Sequence, residues 1–342
     1  MDNIKKYDVL IIGAGICGIT TGKYLLKNGA NIKILDKGKA IGGRLATRRI
    51  EFEKKLLQID YGCKFLEAHS FEFSQELLEL INNDRIRKWN IENQNSFFDE
   101  LGKNIKFIGR QSMRQIALDL AEGLDIENNV KVKKIEYKNG EWIVNDENNK
   151  SLKAKALILT MPVPQSLELI RNSKLKISEE IISNLQKIEY ARSIVGILAL
   201  DSNSNIKNEG GLKFHDGPIS FITDNNLKGI NKNLTALTVE MSNDFSIKNW
   251  DKSDEEITKL IIETSREYLN SKVLKFQIHK WKYSTPLKSY PQKFEVVDSP
   301  GTLYFAGDAF LGSTVEFAYL SGLYSAKSLY QKYSFQLSEI EI

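Results

Sequence analysis

The turn Gly13-Ala-Gly15-Ile-Cys-Gly18 lies between the apolar run Tyr7-Asp-Val-Leu-Ile-Ile12 and an apolar helical segment. No other feature constrains the fold as tightly. A β-branched run leading through GxGxxG into a helix is the setting of a dinucleotide-binding βαβ unit. Gly13 permits the tight turn, Gly15 lets a pyrophosphate approach the backbone, and Gly18 lets the helix pack on the strand. The first helical turn, with Ile16 and Cys17, presents unpaired N–H groups and the positive end of the helix dipole to phosphates. About 20 residues on, where such a unit carries its acidic residue, Ile32-Lys-Ile-Leu-Asp36 ends in a carboxylate that can accept ribose hydroxyls.

Gly42-Gly43-Arg44 follows shortly after. A nicotinamide-binding unit needs no second glycine pair and fixed arginine there. An extended FAD does, because its pyrophosphate invites another close backbone approach and a guanidinium that pairs bidentately with phosphate. The far end of the chain supplies the other half. Gly301-Thr-Leu-Tyr-Phe-Ala-Gly307-Asp308 reads as a strand ending in Gly-Asp, then a loop enters a helix near Ser313–Val315. Asp308 can hydrogen-bond the ribityl chain, and the helix can aim its positive end at the flavin edge where charge accumulates on reduction. Two half-sites at opposite ends make non-covalent FAD the expected cofactor.

Composition removes several other classes. A net charge of +4 over 342 residues, spread diffusely, gives no nucleic-acid footprint. The two cysteines, Cys17 and Cys63, form no CxxC and no disulfide framework; Cys17 reads as a small packing residue. The three histidines (His69, His215, His279) have no ligand spacing, so no metal is expected. Lys5-Lys6 before an apolar run imitates a signal peptide, but the glycines interrupt it. No stretch reaches the roughly 18 apolar residues of a spanning helix, so a soluble, cytoplasmic protein without a membrane partner is expected.

The expected fold is α/β: a discontinuous Rossmann-like FAD-binding domain plus a second, α+β substrate domain with a mostly antiparallel sheet. The first takes residues 1–65, 108–164 and 297–342, and the second takes 66–107 and 165–296. Lys155-Ala-Leu-Ile-Leu-Thr160 reads as a buried strand stopped by Pro162 and Pro164. Asn139-Gly140 reads as a hairpin turn. Leu77, Leu78, Leu80 and Ile81 mark an amphipathic helix, and Ser253-Asp-Glu-Glu256 is a capping box before Ile257, Leu260 and Ile261. Runs at Ile194–Leu200, Ile219–Ile222, Leu234–Val239 and Val273–Tyr283 suggest the antiparallel strands.

Several longer segments carry a family resemblance: Gly42-Gly-Arg-Leu-Ala-Thr-Arg-Arg49, Gly109-Arg-Gln-Ser-Met113, Thr160-Met-Pro-Val-Pro-Gln165, His279-Lys-Trp281-Lys-Tyr283 and Val315-Glu316-Phe-Ala-Tyr-Leu-Ser-Gly322. With them the chain resembles, end to end, the renalase-like FAD oxidoreductases of the flavin amine oxidase and p-hydroxybenzoate hydroxylase superfamily. The resemblance implies an oxidase of misreduced nicotinamides, the 2- and 6-dihydro isomers of NAD(P)H. Hydride would pass to flavin N5 and dioxygen would take the electrons as hydrogen peroxide. Carried over by motif position, FAD contacts would come from Gly13, Gly15, Ile16, Cys17, Gly18, Asp36, Lys37, Gly42, Gly43, Arg44, Leu45, Asp60, Val132, Gly307, Asp308, Val315, Glu316 and Ala318. Trp281 and Tyr283 would face the substrate.

A dihydropyridine that loses hydride becomes an aromatic cation, so the chemistry asks for no catalytic base. Trp281 is either a stacking wall or a core residue of its strand, and Tyr283 has the same two readings. His279 shares the face of Trp281 by strand periodicity and is not assigned a catalytic role. Two positions depart from the family pattern. Asp60-Tyr-Gly62 is followed by Cys63-Lys64-Phe65 where relatives carry a His- or Gln-Tyr-Phe segment, and Glu240 stands near a histidine position of bacterial relatives. If both line the pocket, Lys64 and Glu240 change its charge pattern. Rival readings are a flavin amine oxidase, a desaturase, and a non-catalytic FAD-binding protein. Whether the chain is a monomer or a homodimer is not read from the sequence.

Overall fold

In the computed structural model, which describes residues 4–52, 54–90, 92–93, 105–207, 209–231 and 234–337, the chain divides into two compact units. The first comprises Met1–Gly43, Ala117–Glu189 and Pro286–Ile342, the second Arg44–Ile116 and Tyr190–Thr285.

The first unit is built on an eight-stranded sheet. Its parallel centre sets Lys6–Ile12 between Ile32–Leu35 and Ser151–Leu159, with Leu303–Phe305 beyond the latter. These strands are continuous apolar runs because both faces are covered, as in doubly wound sheets; Leu10, Ile11, Ile34 and Leu157 are wholly buried. Ile158 stands in register with both Ile11 and Tyr304. Asn139 and Gly140, both at positive φ, turn the chain between Val132–Lys138 and Glu141–Asp146, the backbone a two-residue hairpin demands. Pro162 and Pro164 end the Ser151–Leu159 strand by opening the helix Val163–Asn172, whose first turn needs no proline N–H. Helices Ile16–Lys27 and Val315–Leu337 pack tightly: a β-carbon on Gly322 would lie 2.3 Å from the Cys17 carbonyl oxygen.

The second unit carries a six-stranded sheet, antiparallel except for one short edge pairing. The strand Ser193–Leu200 lies at its heart, between Thr235–Met241 and Val273–Trp281. Every residue of it is buried, because each face meets its own core. Ile194 and Leu198 join Leu237, Val239, Ile257 and Ile261 on one face. Val195, Ile197 and Ala199 join Ile50, Leu57 and Ile59 on the other. The capping box forms as expected, with the Glu256 amide donating to Ser253 Oγ and the Ser253 amide donating to the Glu256 carboxylate.

Two details differ from the periodicity reading. In the helix Phe71–Asn82, Leu77 and Leu80 are buried, but Leu78 and Ile81 are exposed, so the apolar stripe is narrower than four leucine-like positions suggest. The hairpin of Thr47–Phe52 and Lys55–Asp60 belongs to the second unit. Its Asp60 amide donates to Asn225 Oδ1, and the Thr238 hydroxyl donates to the Asp60 carbonyl. The contacts thus part the chain at Gly43, whereas the glycine motif and its sequel alone suggest residue 65.

Candidate functional site

In the first unit the glycine loop is defined by what glycine alone allows. Gly13 has φ +116°, and a β-carbon there would meet Thr160 Oγ1 at 2.6 Å. A β-carbon on Gly18 would sit 1.9 Å from the Gly13 carbonyl oxygen. Gly15 differs in kind: its backbone is extended, and a β-carbon there would meet no protein atom within 4 Å. As the N-cap it offers no side chain to the first-turn amides of the Ile16–Lys27 helix, which suits donors meant for a phosphate. The second glycine pair lies against this loop. The Gly42 amide donates to the Ala14 carbonyl at 2.8 Å, and Gly43, at φ +54°, would place a β-carbon 3.3 Å from the Gly15 α-carbon. The backbone fits a pyrophosphate at Gly15.

Asp36 closes the same end. Its carboxylate accepts from the Ala14 and Gly38 amides, each at 2.6 Å, so it also fastens the glycine loop. The Val130 amide donates to the Asp36 carbonyl, which brings the Val132 strand alongside. Lys37 points its ammonium to Gln165. On the other side, Gly307 has φ +147° and its amide donates to Ser321 Oγ on the last helix. Val315 opens that helix, with Glu316 and Ala318 buried in its first turn. Cys17 is held between the two helices, and burial, with the Asp308 carboxylate adding to it, pushes its thiol far up. It is an inert packing group.

Three expected cofactor contacts fall in the second unit: Arg44, Leu45 and Asp60. Arg44 donates to the Ser284 carbonyl at 3.0 Å, and Leu45 is buried. Asp60 is bonded within that unit. Its carboxylate accepts from Thr47 Oγ1 at 2.6 Å, from the Met113 amide at 3.1 Å and from the Lys228 ammonium at 2.9 Å. These bonds make Asp60 a structural hub of the second unit.

Of the substrate candidates, Trp281 and Glu240 lie on one sheet face of the second unit, Trp281 with His279 beside it. Trp281 stacks on Tyr61 with centroids 5.5 Å apart, and His279 meets both rings edge-on. Trp281 Nε1 donates to the Tyr61 carbonyl at 3.1 Å. Lys280 turns to the opposite face and donates to the Trp250 carbonyl, as strand alternation requires. Arg48 lies over the Tyr61 ring, 5.0 Å from its centroid, and reaches His279 Nδ1 at 3.4 Å. Burial first, and the Arg48 charge second, hold the His279 imidazole down at about 4. Neutral at ordinary pH, it accepts at Nδ1 and keeps its proton at Nε2. Tyr283 packs edge-on against Tyr190 and is not part of this stack.

Lys64 and Glu240 are brought together as an ion pair, with Lys64 also over the Phe221 ring. Burial draws the Lys64 ammonium down to about 8, with Cys63 opposing and the Lys228 charge adding to the drift. Lys228 itself carries no sequence signal. Its ammonium is fully buried, bonded to Asp60 and the Lys64 carbonyl and placed over Trp89. No motif marks it, since a lysine in a polar turn reads as exposed. Tyr61 is legible only as part of Asp-Tyr-Gly, because its partners lie about 220 residues away in the chain. Among the described residues no group of three or more His, Cys, Asp or Glu is placed to hold a metal ion, and no helix is long and apolar enough to cross a membrane.

Comparison with known proteins places this geometry. The model of the flavin-containing amine oxidoreductases matches residues 68–329, and that of an NAD(P)-binding Rossmann-like domain matches residues 11–83. Renalase of Mus musculus is 24% identical over 309 residues, covering 86% of this chain and 88% of renalase. One chain of the limonene dehydrogenase of Castellaniella defragrans is 43% identical over 47 residues, a match spanning 14% of this chain and only 9% of that one. Among solved structures, an engineered putrescine oxidase superposes with a TM-score of 0.71 at 13% identity, over 96% of this chain and 99% of that one. A conjugated-linoleic-acid-producing fatty acid isomerase from P. acnes gives 0.67 at 12% identity, over 96% and 98%. Those two likenesses show the fold. The family match, with the cradle at Gly15, makes FAD the cofactor.

Proposed function

The chain belongs to the flavin-containing amine oxidoreductases, and from that premise we propose that it oxidises the 2- or 6-dihydro isomers of NAD(P)H to NAD(P)+, with dioxygen reduced to hydrogen peroxide. The observation that carries the reading is the likeness to renalase along nearly the whole of both chains. Bound FAD supplies the hydride acceptor. In this reading the first unit holds it, with the amides at Gly15 on the pyrophosphate, Asp36 and the Val132 strand at the adenosine end, and Gly307, Asp308 and the start of the Val315–Leu337 helix at the flavin end. The second unit binds the substrate.

The protein's own tasks are then few. Trp281, stacked on Tyr61 and pinned through its indole N–H, offers a fixed plane against which a dihydropyridine can lie. Such orientation supplies much of the rate when no covalent step is needed. His279 stays neutral beside it, so it adds no positive charge next to a ring that becomes cationic. No side chain has to remove a proton.

The test is anaerobic mixing of the FAD-loaded protein with 6-dihydro-NAD, 4-dihydro-NAD and benzylamine, following the flavin absorbance. Rapid bleaching by the 6-dihydro isomer alone is expected. Bleaching by benzylamine alone would overturn the reading in favour of amine oxidation.

A further inference from the structure

Glu240, Val195 and His279 stand in one cross-strand row of the second unit's sheet, Val195 being in register with both, and Phe221 continues the row beyond Glu240. Adjacent strands lie about 4.8 Å apart, so Glu240 is roughly 10 Å from His279 along the row. At one end stand the rings of His279, Tyr61 and Trp281. At the other stands the Lys64–Glu240 ion pair, backed by Phe221. Both charged side chains keep some access to solvent, 26% for Lys64 and 15% for Glu240. The Lys64 backbone is fixed from behind by the buried Lys228 ammonium on its carbonyl.

We propose that Lys64 and Glu240 together are the specificity determinant of the substrate site, recognising a neutral primary carboxamide on a six-membered ring. The proposal rests on the dihydronicotinamide reading and names the group of that substrate which the protein reads. A carboxamide presents a carbonyl acceptor and an NH2 donor side by side. Lys64 supplies the matching donor and Glu240 the matching acceptor, and both bonds are charge-assisted.

A paired cation and anion also discriminate by charge. An alkylammonium attracted by Glu240 is repelled by Lys64, and a carboxylate meets the reverse. Only a neutral group with both a donor and an acceptor satisfies the two at once. Stability alone gives weak reason for the pair, since taking two charges largely out of water offsets much of their attraction.

The experiment titrates the FAD-loaded protein with nicotinamide, nicotinate and benzylamine, reading dissociation constants from perturbation of the flavin absorption. The variants are Glu240→Gln and Lys64→Gln, each checked for bound FAD and thermal midpoint. The wild type is expected to bind nicotinamide at least about tenfold more tightly than either charged ring, a margin of roughly 1.4 kcal/mol. Glu240→Gln should bind nicotinate about tenfold better than the wild type, and Lys64→Gln should do the same for benzylamine. Unchanged preferences in both variants would overturn the pair's role, even with 6-dihydro-NAD bleaching the flavin. Preferences that swap as expected while 6-dihydro-NAD leaves the flavin oxidised would uphold carboxamide recognition and overturn the dihydronicotinamide reading instead.

Discussion

The ammonium of Lys228 donates to the carboxylate of Asp60 at 2.9 Å, with both side chains sealed from water. Asp60 also accepts from Thr47 and Met113, and Lys228 also donates to the Lys64 carbonyl. One bond network therefore fastens the hairpin, the helix that starts at Met113 and the segment carrying Lys64. Lys228→Met leaves a buried carboxylate without its cation, which costs about 3–5 kcal/mol. The double variant Asp60→Asn with Lys228→Met should lose less than the sum of the singles, because no charge is then stranded. Denaturant unfolding of the four proteins checks this. Additive losses would show the pair to be uncoupled.

Gly15 and Gly18 separate cofactor binding from folding. A β-carbon on Gly15 meets no protein atom within 4 Å, but one on Gly18 collides with the Gly13 carbonyl at 1.9 Å. Gly15→Val should give a folded protein with a near-normal far-ultraviolet spectrum and no bound flavin. Gly18→Val should fail to give soluble protein, because a strand–helix contact has to open. A flavin-loaded Gly15→Val protein would remove the pyrophosphate from this loop.

The contrast shows what a sequence can disclose. Gly13, Gly15, Gly18 and the Gly42-Gly43 pair act through local backbone geometry, so spacing alone identifies them and the strand that precedes them. The capping box at Ser253 is equally local. The Asp60–Lys228 pair closes 168 residues of chain, and nothing near either residue announces the other. The structural role of Asp60 is therefore legible only once its partners are in view. Ser193–Leu200 is legible as a strand but not as one buried on both faces, which depends on Ile50 and Ile59 of a distant hairpin covering the second face. Lys64 and Glu240 each stand out as departures from a family pattern. Their pairing brings a loop, held through the Lys64 carbonyl by Lys228, to a strand far along the chain.

Trp281 has two sequence readings, a core residue and a stacking wall for the substrate. It packs against the core that includes Val195 and Ile197, and it presents a ring stacked on Tyr61. Trp281→Ala should lower stability by about 2 kcal/mol, less than the roughly 3–5 kcal/mol of a wholly buried aromatic, while FAD stays bound. Flavin reduction by 6-dihydro-NAD should slow by at least about tenfold, equal to roughly 1.4 kcal/mol of lost orientation. Trp281→Phe keeps a stacking plane without the indole N–H and should recover most of the rate. Stopped-flow reduction of the two variants decides it. Equal rates in Trp281→Ala and the wild type would leave Trp281 with its core role alone.

His279 gives the fold an acid sensitivity of predictable sign. An unfolded histidine titrates near 6.5, and in the folded protein burial and the Arg48 guanidinium hold His279 at about 4. The folded state therefore binds the proton less well than the unfolded chain does. The stabilising contribution is fully present above about pH 6.5 and is lost progressively as pH falls from there through about 4. His279→Gln keeps an acceptor for Arg48 at roughly the same reach but cannot take up a proton. Its thermal midpoint should fall less than that of the wild type between about pH 7 and pH 4, with the two curves parallel above that range. Parallel curves across the whole range would mean that His279 titrates alike in both states, and the Arg48–His279 contact at 3.4 Å would then carry no electrostatic weight.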